Sequence, residues 1–301
     1  MLSVIICTYN RDKYIYTTLE KLAKNNLPFS EYEIILVNNL CTDKTEEKCF
    51  SFHSQYPSVN FRYFIEENQG LSYARNRGIA ESNGDFLIFL DDDAFVAGDY
   101  LGNLSDRLKE YPDLDAFGGK ITPFYESGKE PEWMSSWSYS WVSALNKGDD
   151  VVLFEGKEYP IGANMGIRKS VIEQCGCFNV NLGRKQNDLS GGEEKDLFFR
   201  LKSKGAKIYY LPNVKVEHCI PEKRTTKDYI IRLGNGIGRS ESARTREISL
   251  LCFLYRCVLE LIKWGGTIVL WLSFVLKGKK SKGDILVVFR YYVTRGLLSE
   301  K

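Results

Sequence analysis

Two clusters of acidic residues in this 301-residue sequence lie where a regular element ends or begins. The first, Asp91-Asp92-Asp93, directly follows the apolar run 86–90, which has the pattern of a buried strand. Three carboxylates at a strand end repel one another unless a cation lies among them, and carboxylate oxygens suit a hard divalent ion such as Mg²⁺ or Mn²⁺. On these residues alone, a solvated acidic turn is an equally good interpretation.

The second cluster follows two glycines and consists of Glu193, Glu194 and Asp196. It opens an amphipathic helical pattern that contains Leu197 and Leu201. Acidic residues near a helix N-terminus are stabilised by the helix dipole, so a simple helix start is the interpretation that this cluster alone favours. The functional alternative is a general base, which requires a carboxylate held within reach of a hydroxyl.

The elements that would position these clusters alternate between strand and helix patterns. Such a β-α-β-α-β-α-β order predicts an α/β protein with a parallel sheet and helices on both faces. Ligands of these sheets bind beyond the carboxyl ends of the strands, so the residues that follow each strand are the candidate site. The predicted strands are residues 3–7, 33–37, 60–65 and 85–90.

Several segments occur in the order and spacing of family 2 glycosyltransferases, and over residues 1–225 the sequence resembles that family. The resemblance implies a GT-A, Rossmann-like α/β fold, in which a mixed, mostly parallel sheet is flanked by helices. It also implies an inverting transfer from a nucleotide-diphospho-sugar, UDP-sugar foremost, to a hydroxyl of a glycan or lipid-linked acceptor. The segments are Thr8-Tyr9-Asn10, Asn38-Asn39, 68–76, Asp91-Asp92-Asp93, Gly162-Ala163-Asn164-Met165 and 192–196.

The resemblance also implies a role for each matching residue on the donor side. Asp91 and Asp93 would bind the Mg²⁺ or Mn²⁺ that bridges the donor diphosphate, and Asp92 would reach the ribose. His218 would be a further metal ligand or a diphosphate contact, although a lone histidine is as often a packed structural residue. The remaining donor-binding residues would be Thr8, Tyr9, Asn10, Asn38, Asn39 and Arg75.

On the acceptor side, the resemblance makes Glu194 the base that deprotonates the acceptor hydroxyl. Many family members have a Glu-Asp pair where this sequence has Glu193-Glu194, so the longer side chain leaves Glu193 or Asp196 as alternatives. Asn38 stands where many members have Asp, and its amide oxygen still accepts a hydrogen bond. The pocket for donor sugar and acceptor would be shaped by Gly162, Ala163, Asn164 and Met165.

The last quarter of the chain differs in charge from the rest. From Lys227 onward there are 14 basic and 6 acidic residues, whereas the preceding part has 27 basic and 33 acidic residues. The apolar stretch 248–276 contains charges, and Gly265-Gly266 is expected to interrupt it. An amphipathic helix lying on an anionic membrane surface therefore fits better than a transmembrane helix, with the basic segment 277–282 near the headgroups. A buried helical subdomain or a dimer contact is the alternative.

Two further motifs are assigned to structure rather than chemistry. Trp133, Trp137 and Trp141 recur every four residues, which places the indoles on one face of a helix, facing the core by default. The functional alternative is that the indoles stack on an acceptor sugar or contact the membrane interface. The glycine run 234–238 follows a helical rather than a strand pattern, so it is not read as a dinucleotide site.

Composition and cysteine spacing narrow the class of protein further. The chain is 44% hydrophobic and 27% charged, which is typical of a globular protein, and its acidic main part argues against a nucleic-acid partner. There is no Cys-x-x-Cys pair and only two histidines occur, so a structural zinc site is not expected. The N-terminus lacks the pattern of a secretory signal, which favours reduced thiols in the cytoplasm.

The prediction is therefore a GT-A domain over residues 1–225 and a helical, membrane-associating region over 226–301, peripheral on the inner face of the cell membrane. A sugar nucleotidyltransferase is the nearest enzymatic alternative. It would need a basic, glycine-rich phosphate loop near the N-terminus, which residues 8–11 do not form. A catalytically silent sugar-nucleotide-binding or scaffold protein is the alternative from another class, and the paired acidic clusters weigh against it.

Overall fold

The computed structural model describes residues 1–183 and 191–299, which divide into two compact bodies. Body 1 comprises residues 1–124, 143–183 and 192–219, and body 2 comprises residues 125–142, 191 and 220–299. The chain enters body 2 over residues 125–142 and passes into it for the last time after Cys219, and the domain boundary expected at residue 225 stays a prediction.

The first half of the sheet in body 1 is parallel, and it contains the four strands predicted from the sequence. β1 (Leu2–Thr8) pairs with β2 (Tyr32–Asn38), and β3 (Phe61–Ile65) continues the sheet beyond β2. β4 (Phe86–Asp91) pairs with the other side of β1. β1, β2 and β4 are rich in Ile, Leu and Val and are buried along almost their whole length, as expected of strands covered on both faces.

The second half of the sheet makes it mixed. β8 runs antiparallel to both β4 and β6, and β5 runs antiparallel to β9. In the described residues the spatial order is β3-β2-β1-β4-β8-β6-β9-β5, with β7 beside β9. These strands are β5 (Ala94–Val96), β6 (Ala116–Tyr125), β7 (Val152–Leu153), β8 (Asn164–Arg168) and β9 (Ile208–Ile220).

Helices cover both faces of this sheet, because alternate residues of each strand point to opposite sides. Val4 of β1 belongs to a hydrophobic cluster with residues of α1, α2 and α4, whereas its neighbour Ile5 belongs to a second cluster with residues of α3, α5 and α6. The helices are α1 (Ile15–Ala23), α2 (Thr45–Gln55), α3 (Leu71–Glu81), α4 (Tyr100–Glu110), α5 (Lys169–Cys175) and α6 (Glu193–Ser203).

Body 2 contains three long helices, α7 (Lys227–Ile248), α8 (Leu250–Leu276) and α9 (Lys280–Leu298). Glycines let α7 and α9 approach closely: a Cβ on Gly238 would lie 2.2 Å from the Val293 carbonyl oxygen. A Cβ on Gly296 would lie 2.3 Å from the carbonyl oxygen of Asn235. The glycine run 234–238 therefore serves helix packing.

Two charged residues of α8, Arg256 and Glu260, point into body 2 rather than outward. Arg256 Nη1 lies 2.7 Å from Glu260 Oε2, and Arg290 Nη1 of α9 lies 2.9 Å from Glu260 Oε1. Arg256 Nε also lies 3.2 Å from Glu241 Oε2 of α7. Burial raises the pKa of Glu260, but the two guanidinium groups outweigh burial and lower it overall.

The outer side of α8 is apolar and exposed. The helix is continuous through Gly265-Gly266, so the expectation that these glycines interrupt it was wrong. Within the described residues, α8 is the one helix long and apolar enough to cross a membrane, judged by length and composition only, and 11% of its apolar window is buried. Exposed side chains on this face include Leu251, Leu254, Val258, Leu261, Ile262 and Val269.

The prediction that three tryptophans share one helix face was also wrong. Residues 136–142 form a 3-10 helix, which Trp133 precedes. Trp141 stacks on Phe289 of α9 at a ring-centroid distance of 4.2 Å, whereas the side chain of Trp137 is 61% exposed. Only Trp133 and Trp141 contribute to the apolar core of body 2.

A buried carboxylate stabilises the end of the sheet opposite the candidate site. Glu33 accepts hydrogen bonds from the Ser3 hydroxyl and from the backbone and side chain of Asn83, and it lies 3.1 Å from Arg62 Nη1. Although burial acts to raise the pKa of Glu33, these donors lower it overall. An ionised Glu33 is therefore part of the folded structure.

Replacing Glu33 with Gln is expected to lower the free energy of unfolding at pH 7 by about 1–3 kcal/mol, because the buried donors lose their anionic partner. A carboxyl whose pKa is lowered by folding stabilises the protein above its unfolded pKa, and this contribution disappears as the pH falls through the folded pKa. Thermal unfolding of both proteins at pH 7 and pH 4 measures the difference, with the exposed Glu173→Gln as control. An equal loss at both pH values would contradict this account.

Candidate active site

The carboxyl ends of β1, β2 and β4 bring the predicted donor-binding segments to one edge of the sheet. In the parallel register, Thr8 lies beside Asn38, and Cys7 lies beside Asp91. β8 begins with Asn164, which pairs with Leu90, so the segment predicted to shape the sugar pocket adjoins the aspartates. These segments are far apart in the sequence and are brought together by strand order alone.

Asp91, Asp93 and His218 form a cluster with the geometry of a metal site. His218 Nε2 lies 3.0 Å from Asp93 Oδ1 and 3.8 Å from Asp91 Oδ2, and the three potential ligand atoms all lie within 4.8 Å of one another. β9 places the histidine there, because His218 pairs with Ala94, next to the aspartates. Two carboxylates and one imidazole are a donor set that fits Mn²⁺ or Mg²⁺.

Asp92 lies beside Arg11, a residue that was not predicted to belong to the site. Arg11 Nε lies 3.4 Å from Asp92 Oδ1, and Arg11 Nη2 lies 3.4 Å from Asp93 Oδ2. Burial raises the pKa of Asp92 to about 7, and Arg11 and the Thr8 hydroxyl oppose this shift only in part. The signal in the sequence was the basic residue directly after Thr8-Tyr9-Asn10.

The loops after β1 and β2 are tied together by asparagine side chains. Asn10 has a positive φ of 54° and its Oδ1 accepts a hydrogen bond from the Thr42 backbone at 2.7 Å. Asn39 Oδ1 accepts a hydrogen bond from the Gly70 backbone, and its Nδ2 donates to the carbonyl groups of Glu66 and Asn68. The buried Asn39 thus fixes the loop that precedes α3.

The side chains of Asn38 and Tyr9 differ in their exposure at this edge of the sheet. The Asn38 side chain is buried, donating to the Tyr63 hydroxyl at 2.6 Å and accepting from the Cys41 backbone at 2.7 Å. Tyr9 is 40% exposed, which leaves its ring open to a stacking ligand. Tyr63 is a neighbour of the site that no motif indicated.

The second acidic cluster begins α6, as predicted. Gly192 precedes the helix in the left-handed conformation, with φ of 112°, and Glu193, Glu194 and Asp196 lie in the first turn. Arg75 of α3 contacts both glutamates: its Nη1 lies 3.3 Å from Glu193 Oε1, and its Nη2 lies 3.1 Å from Glu194 Oε1. Glu193 is buried, whereas the Glu194 side chain is 21% exposed.

Asp196 is placed differently from the two glutamates. Its Oδ2 lies 3.0 Å from the Arg200 guanidinium one turn further along α6. Arg200 in turn donates to the carbonyl groups of Cys175, Gly176 and Cys177. Asp196 therefore contributes to fixing α6 against the end of α5.

The four residues predicted to shape the sugar pocket have distinct environments. Ala163 and Met165 are buried in the two hydrophobic clusters of body 1. Asn164 is fully buried: its Oδ1 accepts from the Tyr100 hydroxyl, and its Nδ2 donates to the carbonyl groups of Lys120 and Val214. Gly162 lies against the Arg75–Glu194 pair, since a Cβ on it would be 2.2 Å from Arg75 Nη2.

The two acidic clusters act on the same guanidinium group. Burial lowers the pKa of Arg75, but the charges of Glu194, Glu193 and Asp91 outweigh burial and raise it overall. Gly162, which lies against Arg75 and Glu194, is two residues from Asn164, whose strand neighbour Leu90 directly precedes Asp91. The Asp91–Asp93–His218 cluster, which could hold a metal ion, and the Glu194 carboxylate therefore lie at one edge of the sheet.

Comparison with known proteins identifies the class to which this arrangement belongs. The family model described as "Glycosyl transferase family 2" matches residues 3–176, more than half of the chain. The chain therefore belongs to glycosyl transferase family 2 and is an enzyme of glycosyl transfer.

Curated relatives agree with the family assignment. The chain is 26% identical over 234 residues to the glucosyl-dolichyl phosphate glucuronosyltransferase of Haloferax volcanii, which covers 76% of this chain and 72% of that protein. It is 27% identical over 230 residues to the succinoglycan biosynthesis protein ExoM of Rhizobium meliloti, covering 75% and 69%. A third relative, a dolichyl-phosphate-sugar transferase of Methanococcus voltae, is 32% identical over 42% of this chain and 40% of its own length.

Solved structures show that the fold is of the GT-A type. The mannosyltransferase PcManGT from Pyrobaculum calidifontis, solved with GDP-Man and Mn²⁺, superposes with a TM-score of 0.64 over all of this chain and 88% of that one, at 15% identity. S. aureus TarS 1-349, solved with UDP, gives a TM-score of 0.54 over 78% of this chain and 65% of that one, at 19% identity.

Proposed function

We propose that this glycosyltransferase moves a sugar from a nucleoside-diphosphate sugar, UDP-sugar foremost, to a hydroxyl of a glycan or lipid-linked acceptor, with metal dependence and inversion at the anomeric carbon. The observation that carries the proposal is that the Asp91–Asp93–His218 cluster, which could hold a metal ion, and the Glu194 carboxylate, paired with the buried Arg75, lie at the same edge of the sheet. The names of similar proteins support the substrate classes, since one was solved with GDP-Man and two act on dolichyl-phosphate-linked sugars.

On the donor side, each group at the strand ends has a defined task. Tyr9 stacks on the nucleobase, and the amide groups of the buried Asn38 and of Asn10 shape the nucleoside pocket. Asp91, Asp93 and His218 would hold Mn²⁺ or Mg²⁺. When bound, the ion neutralises the charge that develops on the leaving diphosphate. Arg11, already at the aspartates, adds a second positive charge beside that group.

On the acceptor side, Glu194 is the general base. Its carboxylate is partly exposed and held at the start of α6, so an acceptor hydroxyl can donate its proton to it. The oxygen then attacks the anomeric carbon from the side opposite the leaving diphosphate, which inverts the configuration. Glu193 is buried against Arg75, which suits support of the cluster better than direct contact with an acceptor.

Replacing Glu194 with Gln is expected to lower kcat by roughly 10²- to 10⁴-fold, because general base catalysis is lost. The affinity for UDP in the presence of Mn²⁺ should change by less than about threefold, because the donor contacts remain. Transfer from a panel of UDP- and GDP-sugars measures kcat, and calorimetry with UDP measures affinity.

Glu193→Gln and Asp196→Asn test the alternative bases in the same assay. Asp196→Asn retains its position on α6 and should keep most of the turnover. A Glu194→Gln enzyme with unchanged kcat would move the base to whichever of the other two variants loses activity.

The proposed location is the cytoplasmic face of the cell membrane, with α8 lying on the lipid surface. The outer face of α8 exposes large aliphatic side chains along its length, whereas Arg256 and Glu260 are paired inside body 2. Lys277, Lys279, Lys280 and Lys282 follow the helix and would meet anionic headgroups. All eight cysteines are free thiols, which agrees with a reducing compartment.

The neighbours of α8 support an in-plane orientation. Trp264 Nε1 donates to Thr294 Oγ1 and Trp271 Nε1 donates to Asp284 Oδ1, so α9 packs beside the second half of α8. The exposed face of α7 carries charged residues such as Arg239 and Arg246. A spanning α8 would draw these charges into hydrocarbon at about 3 kcal/mol each, whereas an in-plane helix immerses its apolar face alone.

Leu251→Glu and Leu261→Glu are each expected to weaken binding to vesicles of phosphatidylglycerol and phosphatidylcholine by roughly tenfold or more, since each removes an apolar side chain worth about 1.5–3 kcal/mol of burial. Flotation of the full chain with vesicles measures the bound fraction. Ala243→Glu, on the exposed face of α7, is the matched control. Equal binding of all three variants would show that α8 does not contact lipid.

A further inference from the structure

Arg75 is enclosed by the carboxylates of α6. It is 3% exposed, and its Nη1 donates to Glu193 Oε1 at 3.3 Å and to Glu194 Oε1 at 3.2 Å. Its Nη2 donates to the same Glu194 oxygen at 3.1 Å. Both terminal nitrogens thus converge on one oxygen of Glu194, which anchors that oxygen beside the guanidinium.

The surroundings of Arg75 hold the guanidinium in turn. Its central carbon lies 5.1 Å from the ring centroid of Phe178, within the range of a cation–π contact. The neighbouring residue Asn76 fixes the backbone of Phe178: its Nδ2 donates to the Phe178 carbonyl and its Oδ1 accepts from the Phe178 amide, each at 2.9 Å. Arg75 and Asn76, two consecutive residues of α3, therefore hold the ion pair in place through Phe178.

Gly162 leaves the space that the pair occupies. A Cβ at this position would lie 2.2 Å from Arg75 Nη2 and 2.3 Å from Glu194 Oε1. Both clashing atoms are at the ends of flexible side chains, so an added methyl group would displace the ion pair rather than the backbone. The backbone φ of Gly162 is not in the left-handed region, which makes space the reason for glycine here.

We infer that Arg75 is a positioning residue for the base Glu194, rather than a contact of the donor nucleotide, and that Gly162 is required because its missing Cβ makes room for their ion pair. The inference rests on the proposed role of Glu194. It differs from the expectation based on resemblance, in which Arg75 holds the donor. The buried Arg75, paired with Glu194, holds that carboxylate directed toward the acceptor.

The two roles predict different kinetics. A donor contact contributes to nucleotide affinity, so its loss raises the KM for the donor and weakens UDP binding. A residue that positions the base contributes to the transition state, so its loss lowers kcat with nucleotide affinity retained. Misplacing a reacting group by about 1 Å can cost roughly 10²-fold in rate.

The test uses the full chain with Arg75→Lys and Gly162→Ala. We expect each to lower kcat roughly 10- to 100-fold, and to change the affinity for UDP with Mn²⁺, measured by calorimetry, by less than about threefold. Gly162→Ala keeps every charge, so it remains informative if Arg75→Lys folds poorly. The matched controls are Arg77→Lys, on the same helix and paired with Glu81, and Gly98→Ala, where an added Cβ meets no atom within 4 Å.

The outcomes separate this inference from the proposed function. Weakened UDP binding with kcat retained at saturating donor would make Arg75 a donor contact and overturn the inference. Wild-type kcat in Gly162→Ala would also overturn it. Full activity of Glu194→Gln would instead remove the proposed base, whereas an inactive Glu194→Gln beside a fully active Arg75→Lys would remove the positioning role alone.

Discussion

Arginine side chains make it possible to concentrate carboxylates at one edge of this sheet. The buried Arg75 pairs with Glu193 and Glu194, and the partly buried Arg11 lies beside Asp92 and Asp93. Leaving one partner of a buried ion pair uncompensated typically costs about 3–5 kcal/mol, so the glutamates and Arg75 depend on each other. In the proposed function, these groups would supply a cation site next to a carboxylate that accepts a proton.

Much of the fold and the acidic part of the site could be predicted from the sequence. The alternation of strand and helix patterns predicted the positions of β1 to β4 closely. The two acidic clusters were also correctly placed at the ends of regular elements. The partner of Arg75 could not be derived in this way, because Glu193 lies 118 residues away and no local pattern connects them. Asn164 was assigned to the sugar pocket, but the structure shows that its polar side chain makes internal hydrogen bonds. Its functional role stays a prediction.

The C-terminal helices illustrate what hydropathy alone does not reveal. The charges of α8 are visible in the sequence, but only the packing shows that Arg256 and Glu260 face inward and that the aliphatic face is exposed. The glycines at 265–266 do not break the helix, because neighbouring turns supply the backbone hydrogen bonds. α8 thus turns Arg256 and Glu260 into body 2 and exposes an aliphatic face, the reverse of the usual orientation of a surface helix.

The central claim is that both acidic clusters serve one reaction centre. It is tested most directly by the crystal structure of the full chain with Mn²⁺ and UDP, in which anomalous scattering locates the ion. The account predicts one ion bound by Asp91 and Asp93 at about 2.0–2.4 Å, with the UDP β-phosphate on that ion and the Glu194 carboxylate, still paired with Arg75, facing the same space. An ion bound elsewhere, or a Glu194 separated from the phosphate by packed side chains, would contradict it.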